Sequence, residues 1–184
     1  MHTVIIMKEE ISALLLHYIV KELQVLVGGK LDKIYQLPNK ELYLQIHKTG
    51  KGKHVLRVVP GKYLYLTDHK PPSPKKPMGY CMYLRKYLAH ARIKSITQKD
   101  FERIVEIVLE TKAETKGKEL TTRKLVIELL SKGNILLLDK DNIIMSPLET
   151  QVWKERTLRA KEPYKYPKKA LNFLAMDKKS LKSH

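Results

Sequence analysis

The sequence predicts an α+β domain, a β-sandwich-like arrangement of antiparallel sheets with two main helices. Three observations predict it. An apolar helical run near the N-terminus is closed by paired glycines. A second helical run follows a proline-rich stretch. Between and beyond them lie short segments of alternating apolar and polar residues, separated by Pro, Asn and Gly turns, the pattern of an antiparallel meander.

The first helix is expected over residues 11–27. Ser12 is a suitable N-cap, because its hydroxyl can accept from a backbone N–H of the first turn that has no helical partner. Leu14, Leu15, Leu16, Ile19, Val20, Leu23 and Leu26 surround most of this helix, and only His17, Lys21 and Gln24 form a polar stripe, so it is expected to be mostly buried. Gly28 and Gly29 end it.

Strands are expected over 31–37, 41–47, 54–59 and 62–66, turned by Pro38-Asn39, the loop at 48–52 and Pro60-Gly61. Residues 71–77, with four prolines, form a stiff connection. The second helix is expected over 78–91, with Tyr80, Tyr83, Leu84, Tyr87, Leu88 and Ala91 on one apolar face and Arg85, Lys86 and Arg92 away from it. Helical spacing favours core packing for these tyrosines over base stacking. Further strands are expected over 93–98, 103–110, 119–130, 134–138 and 143–145, with Gly117 and Lys132-Gly133-Asn134 as turns.

The chain has 184 residues, enough for one domain plus an extension. We therefore divide it into a domain at 1–150 and a basic extension at 151–184, outside the core and leading towards a further domain. The extension carries ten basic and three acidic side chains, +7 of the chain's net +17.

So large a positive excess points to a polyanionic partner. It is also localised. No acid occurs between Asp68 and Asp100, while Lys70, Lys75, Lys76, Arg85, Lys86, Arg92, Lys94 and Lys99 do. Such Lys/Arg density is what phosphate contacts require, since each neutralised phosphate releases counterions.

Other functions find no support. A single cysteine, Cys81, excludes an internal disulfide and a cysteine-rich zinc site, and points to a reduced, cytoplasmic setting. No secretion signal or membrane span is legible. The seven histidines form no helical pair of metal ligands. Phosphate-loop, dinucleotide and nucleophile-elbow motifs are absent. No catalytic residue, metal, cofactor or small-molecule substrate is expected.

Several stretches, in order, resemble the N-terminal domain of the NFACT family, which includes eukaryotic NEMF and RqcH-type proteins formerly called fibronectin-binding protein A. They are Ile11-Ser12-Ala13-Leu14, the run from Gly28-Gly29 to Gln36, Met82-Tyr83-Leu84-Arg85-Lys86-Tyr87-Leu88, Ala91-Arg92-Ile93, Glu102-Arg103-Ile104-Val105, and Gly133-Asn134-Ile135-Leu136-Leu137. The resemblance places the chain among archaeal members. It implies a fold like the N-terminal domain of formamidopyrimidine-DNA glycosylases, and a ribosome-associated quality-control role. Partners would be the large ribosomal subunit RNA and tRNA, recruited for mRNA-independent C-terminal tailing of stalled chains. The peptide-bond chemistry would belong to the ribosome, so the chain is not expected to be an enzyme.

The resemblance and the charge together nominate Arg85, Lys86, Arg92, Lys94, Lys99, Glu102, Arg103, Arg156 and Arg159 as nucleic-acid-binding residues. Two positions depart from the family pattern. Leu15 stands where the family has aspartate, and Glu102 replaces the aspartate of an Asp-Arg pair. For Arg103 the phosphate contact competes with a strand-end salt bridge. The alternative functions are a glycosylase-like DNA-binding domain without catalytic residues and a fibronectin-binding adhesin.

Overall fold

Ser12 caps the first helix as its sequence position suggests. The computed structural model describes residues 10–69, 73–113 and 119–168, and in it Ser12 Oγ accepts from Leu15 N at 3.1 Å. Helix α1 covers Ala13–Glu22 and tightens into a 3-10 turn at Leu23–Leu26. Ile11 before the cap and Leu16 a turn later are both buried, the two positions of a hydrophobic staple.

Helix α1 is less buried than expected. Leu16 and Val20 face the core, whereas Leu14, Leu15 and Tyr18 are each more than half exposed. The helix packs one side against the sheet, so its other apolar residues are left exposed among the described residues. Gly28 then turns the chain at φ +85°, and Gly29 passes so close to strand β2 that an added Cβ would lie 2.6 Å from Ile46 Cγ2.

Nine strands follow the expected segments closely. The first four are β1 (Lys30–Gln36), β2 (Leu42–Lys48), β3 (Gly52–Val59) and β4 (Tyr63–Thr67). Helix α2 (Gly79–Leu88) intervenes, shorter at both ends than its apolar spacing suggests. Then come β5 (Arg92–Gln98), β6 (Ile104–Lys112), β7 (Leu120–Glu128), β8 (Asn134–Leu138) and β9 (Ile144–Pro147). Lys70, Pro71 and Pro72 of the basic stretch, Gly117 of the expected turn, and residues 169–184 of the basic tail lie outside the described residues.

The strands form one antiparallel sheet in the order β4-β3-β2-β1-β5-β6-β7-β8-β9, not separate sheets. Its two halves are joined where Lys30 stands opposite Arg92, with backbone bonds between residues 28–31 and 90–93 on either side. They fold towards each other about this joint. The β3–β4 turn meets the end of β7, where Gly61 N donates to Glu128 O at 3.3 Å. One core results, with Leu44, Leu56 and Leu64 from the first half, Ile107, Leu125 and Ile135 from the second, and Leu84 and Leu88 from α2.

The tyrosines of α2 pack as their spacing suggests. Tyr80 Oη donates to Ile135 O at 2.9 Å and Tyr83 Oη to Met145 O at 3.1 Å.

Residues after 150 do more than extend the domain. Strands β10 (Gln151–Val152) and β11 (Thr157–Leu158) form a hairpin, and Leu158 is fully buried. It joins Ile104, Val126, Leu136, Leu138 and Ile144 in a second core on the opposite face of the sheet, with Tyr164 against it. All five residues of β8 are buried, because this strand is covered on both faces.

Candidate nucleic-acid interface

The joint between the two sheet halves creates a basic groove of about 1100 Å³. Lys30 and Arg92 face each other across the joint, because they are register partners on β1 and β5. Lys86 enters from the last turn of α2, Lys112 from the end of β6, and Arg123 from β7. Glu110 is the acid among the lining residues, and Lys94 Nζ approaches it at 3.7 Å. Lys30, Lys86, Arg92 and Lys112 are exposed and make no ion pair among the described residues.

Arg123 has a structural task within this groove. It is buried, donates to Tyr87 O at 2.6 Å and stacks over the Tyr87 ring at 4.6 Å. It thereby satisfies a carbonyl of the last helical turn and sets a positive charge at the negative end of α2.

The nominated residues do not form one surface. Lys86, Arg92 and Lys94 belong to the groove region. Arg85 points away from it and grips β1, with Nε and Nη2 donating to Ile34 O at 2.9 and 2.6 Å. A helix separates neighbours by about 100° of rotation, which sends Arg85 and Lys86 to different places.

Lys99, Glu102 and Arg103 lie at the far end of β5, in the turn to β6. That turn is bolted to α1: Gln98 Nε2 donates to both Ala13 O and Glu102 O, at 3.0 and 2.9 Å. Arg103 Nη1 pairs with Glu10 at 2.6 Å, so the strand-end salt bridge is present. Lys99 lies 4.7 Å above the Tyr166 ring. Glu102 is half-buried and makes no ion pair among the described residues.

Arg156 is drawn into the second core. It forms a two-pronged bridge with Glu128, and the two side chains are only 10% and 2% exposed. Burial by itself would lower its pKa, but the bond to Glu128 and that carboxylate's charge raise it overall. Arg156 is thus a structural residue. Arg159 is exposed just beyond β11.

Lys30, Lys112 and Arg123 were not nominated from sequence. Each sits on a different strand, and only the strand register collects them. Among the described residues no group of His, Cys, Asp and Glu is arranged to hold a metal, and no helix is long and apolar enough to cross a membrane. Cys81 is buried, and desolvation raises its thiol pKa, which suits packing and not nucleophilic chemistry.

The arrangement defines a mostly antiparallel α+β domain that carries a cationic groove at the joint of its sheet halves. The chain belongs to the family described as NFACT N-terminal and middle domains, whose model matches residues 12–184. It is 38% identical over 172 residues to the archaeal Rqc2 homolog aRqcH of Methanocaldococcus jannaschii, covering 90% of this chain and 25% of that protein. It is 36% identical over 143 residues to the ribosome quality control complex subunit 2 of Saccharomyces cerevisiae, covering 76% of this chain and 13% of that one. The chain therefore spans a quarter or less of these curated relatives. Its fold matches the crystal structure of the N-terminal domain of fibronectin-binding protein PavA from Streptococcus pneumoniae, with a TM-score of 0.82 and 33% identity over 94% of this chain and 71% of that one.

Proposed function

We propose that this chain is the RNA-binding N-terminal part of a ribosome-associated quality-control factor. Its role is to bind the large ribosomal subunit and recruit tRNA for mRNA-independent tailing of stalled chains. Peptide-bond formation stays with the ribosome, and the chain contributes binding, not catalysis. The reading draws on family membership and on relatives named for ribosome quality control. The single observation that carries the RNA contact is the groove where Lys30, Lys86, Arg92 and Lys112 converge around one acid, Glu110.

The groove supplies cations at several strand ends at once, which suits successive phosphates of a folded RNA backbone. Lys99, Glu102 and Arg103, at the far end of β5, form a separate region, where an RNA phosphate would have to displace Glu10 from Arg103.

The test is tRNA binding by the full chain, titrated across salt concentrations. Each lost phosphate contact should flatten the log–log salt slope by about 0.7–0.9. The double change Lys86→Glu and Arg92→Glu is expected to weaken binding at least tenfold and reduce the slope by roughly 1.5–2. An unchanged slope and affinity would remove the groove from the interface.

A further inference from the structure

A second cleft lies on the other side of the domain, at the tip of the β10–β11 hairpin. It measures about 650 Å³ and is walled by Trp153 and Tyr166, with Lys132, Lys154, Lys165 and Arg156 around them. We propose that this cleft holds one unpaired nucleobase of an RNA strand, stacked on Trp153, with the flanking phosphates on the lysines. The proposal rests on the RNA-binding reading above and adds a site to it.

Trp153 occupies an unusual place for a large aromatic side chain. It opens the hairpin turn, where its N donates to Arg156 O at 2.9 Å, yet the residue remains 42% exposed. The Arg156 guanidinium lies 4.7 Å from the indole centre and is itself anchored by Glu128. Packing on Arg156 accounts for the ring's position but leaves much of the indole open to solvent. The result is a pre-oriented stacking platform, which loses little entropy when a base arrives.

The opposite wall is equally fixed. Tyr166 bonds through its hydroxyl to Glu106, and its ring lies under Lys99 and edge-on to Tyr164. A cleft bounded by two anchored aromatics has the size of small-ligand pockets and the width freedom of an open groove.

Charge selects the occupant. Glu128 on the floor is neutralised by Arg156 and bonded by Tyr164, and Glu155 is paired with Lys168. Lys132, Lys154 and Lys165 make no ion pair among the described residues. The rim is therefore cationic beside aromatic walls, the combination that binds single-stranded nucleic acid through stacking and phosphate contacts. An apolar peptide would leave these charges unused.

Trp153 is the one tryptophan in the chain, so its fluorescence reports on this cleft alone. The full chain is titrated with a single-stranded RNA decamer, the same decamer with abasic positions, and an RNA duplex. The expected result is quenching by the intact decamer only. Trp153→Ala should weaken decamer binding roughly tenfold, and Trp153→Phe should recover most of it. Decamer binding without quenching, equal in Trp153→Ala, would overturn this proposal while leaving the groove as the RNA site. No binding of any RNA, tRNA included, would overturn the wider RNA-binding reading as well. Quenching by an acidic peptide but not by the decamer would assign the cleft to a protein partner and reject the base.

Discussion

Glu128 at the end of β7 and Arg156 just before the last hairpin strand meet as a fork. Arg156 Nη1 donates to Oε1 at 2.7 Å and Nη2 to Oε2 at 2.8 Å, while Tyr164 Oη donates to Oε1 at 2.8 Å. This cluster helps tie the final described segment to the sheet, beside buried Leu158 and the backbone bonds between Ile144 and residues 161 and 162. Replacing Arg156 by Met leaves a buried carboxylate without its cation, at an expected cost of about 3–5 kcal/mol. For a domain of this size that lowers Tm by roughly 6–20 °C. Thermal denaturation checks it, and a loss under about 1 kcal/mol would rank the pair with ordinary surface bridges.

Tyr164 gives the cluster a pH dependence. Burial first, then the Glu128 charge and hydrogen bond, raise its phenol well above the ordinary 10.0. The unfolded chain ionises this group near pH 10 while the folded chain keeps it protonated, so above that pH the unfolded state holds fewer protons. Stability is then full below about pH 10 and falls as pH rises. Tyr164→Phe should make the alkaline fall shallower, though not flat, because Tyr43, Tyr80 and Tyr166 shift in the same direction. The same change should cost about 2 kcal/mol at neutral pH through the lost bond to a carboxylate. Denaturant unfolding from pH 7 to 11 measures both effects.

Two glycines with similar backbones should respond differently to alanine. Gly133 has φ +71°, and a Cβ there would lie 1.9 Å from Gly61 N and 2.5 Å from Gly61 Cα. Gly50 has φ +75° with nothing within 4 Å. Gly50→Ala should cost about 1 kcal/mol, the strain of a left-handed alanine. Gly133→Ala must also push apart the turns that close the two sheet halves, and should cost several times more or prevent folding. Equal costs would show that this contact does not hold the halves together.

Leu15 offers a stabilising change. It is the third residue of α1, 51% exposed, and its N–H already binds the Ser12 cap. No acid lies in the first turn. Leu15→Asp places a negative charge at the positive end of the helix and removes exposed apolar surface. The expected gain is about 0.3–1 kcal/mol, shrinking as salt is added. A loss of stability would mean that the exposed leucine is packed in solution.

The strand pattern was the most legible part of the chain. Alternating residues in β2 and β6 and the turns at Pro38-Asn39 and Pro60-Gly61 mark the meander because side chains in a strand alternate faces. The helix cap at Ser12 and the core role of the α2 tyrosines were equally legible, since both depend on spacing within one element. The second core was visible only as a hint. The run 135–138 is apolar without alternation, a sign of a strand covered on both sides, but nothing local says what covers it.

By itself the sequence determined the two helices and the nine strands of the main sheet, their order, the excess of positive charge and the family to which the chain belongs. These depend on neighbours along the chain. Only the tertiary structure decided which charges are available for a partner. Arg85 is spent on Ile34, Arg103 on Glu10 and Arg156 on Glu128, while Lys30 and Lys112 arrive in the groove from strands far apart in sequence. The physical reason is distance: ion pairs and grooves form between groups a few ångströms apart in space, and strand register, not chain order, sets those separations.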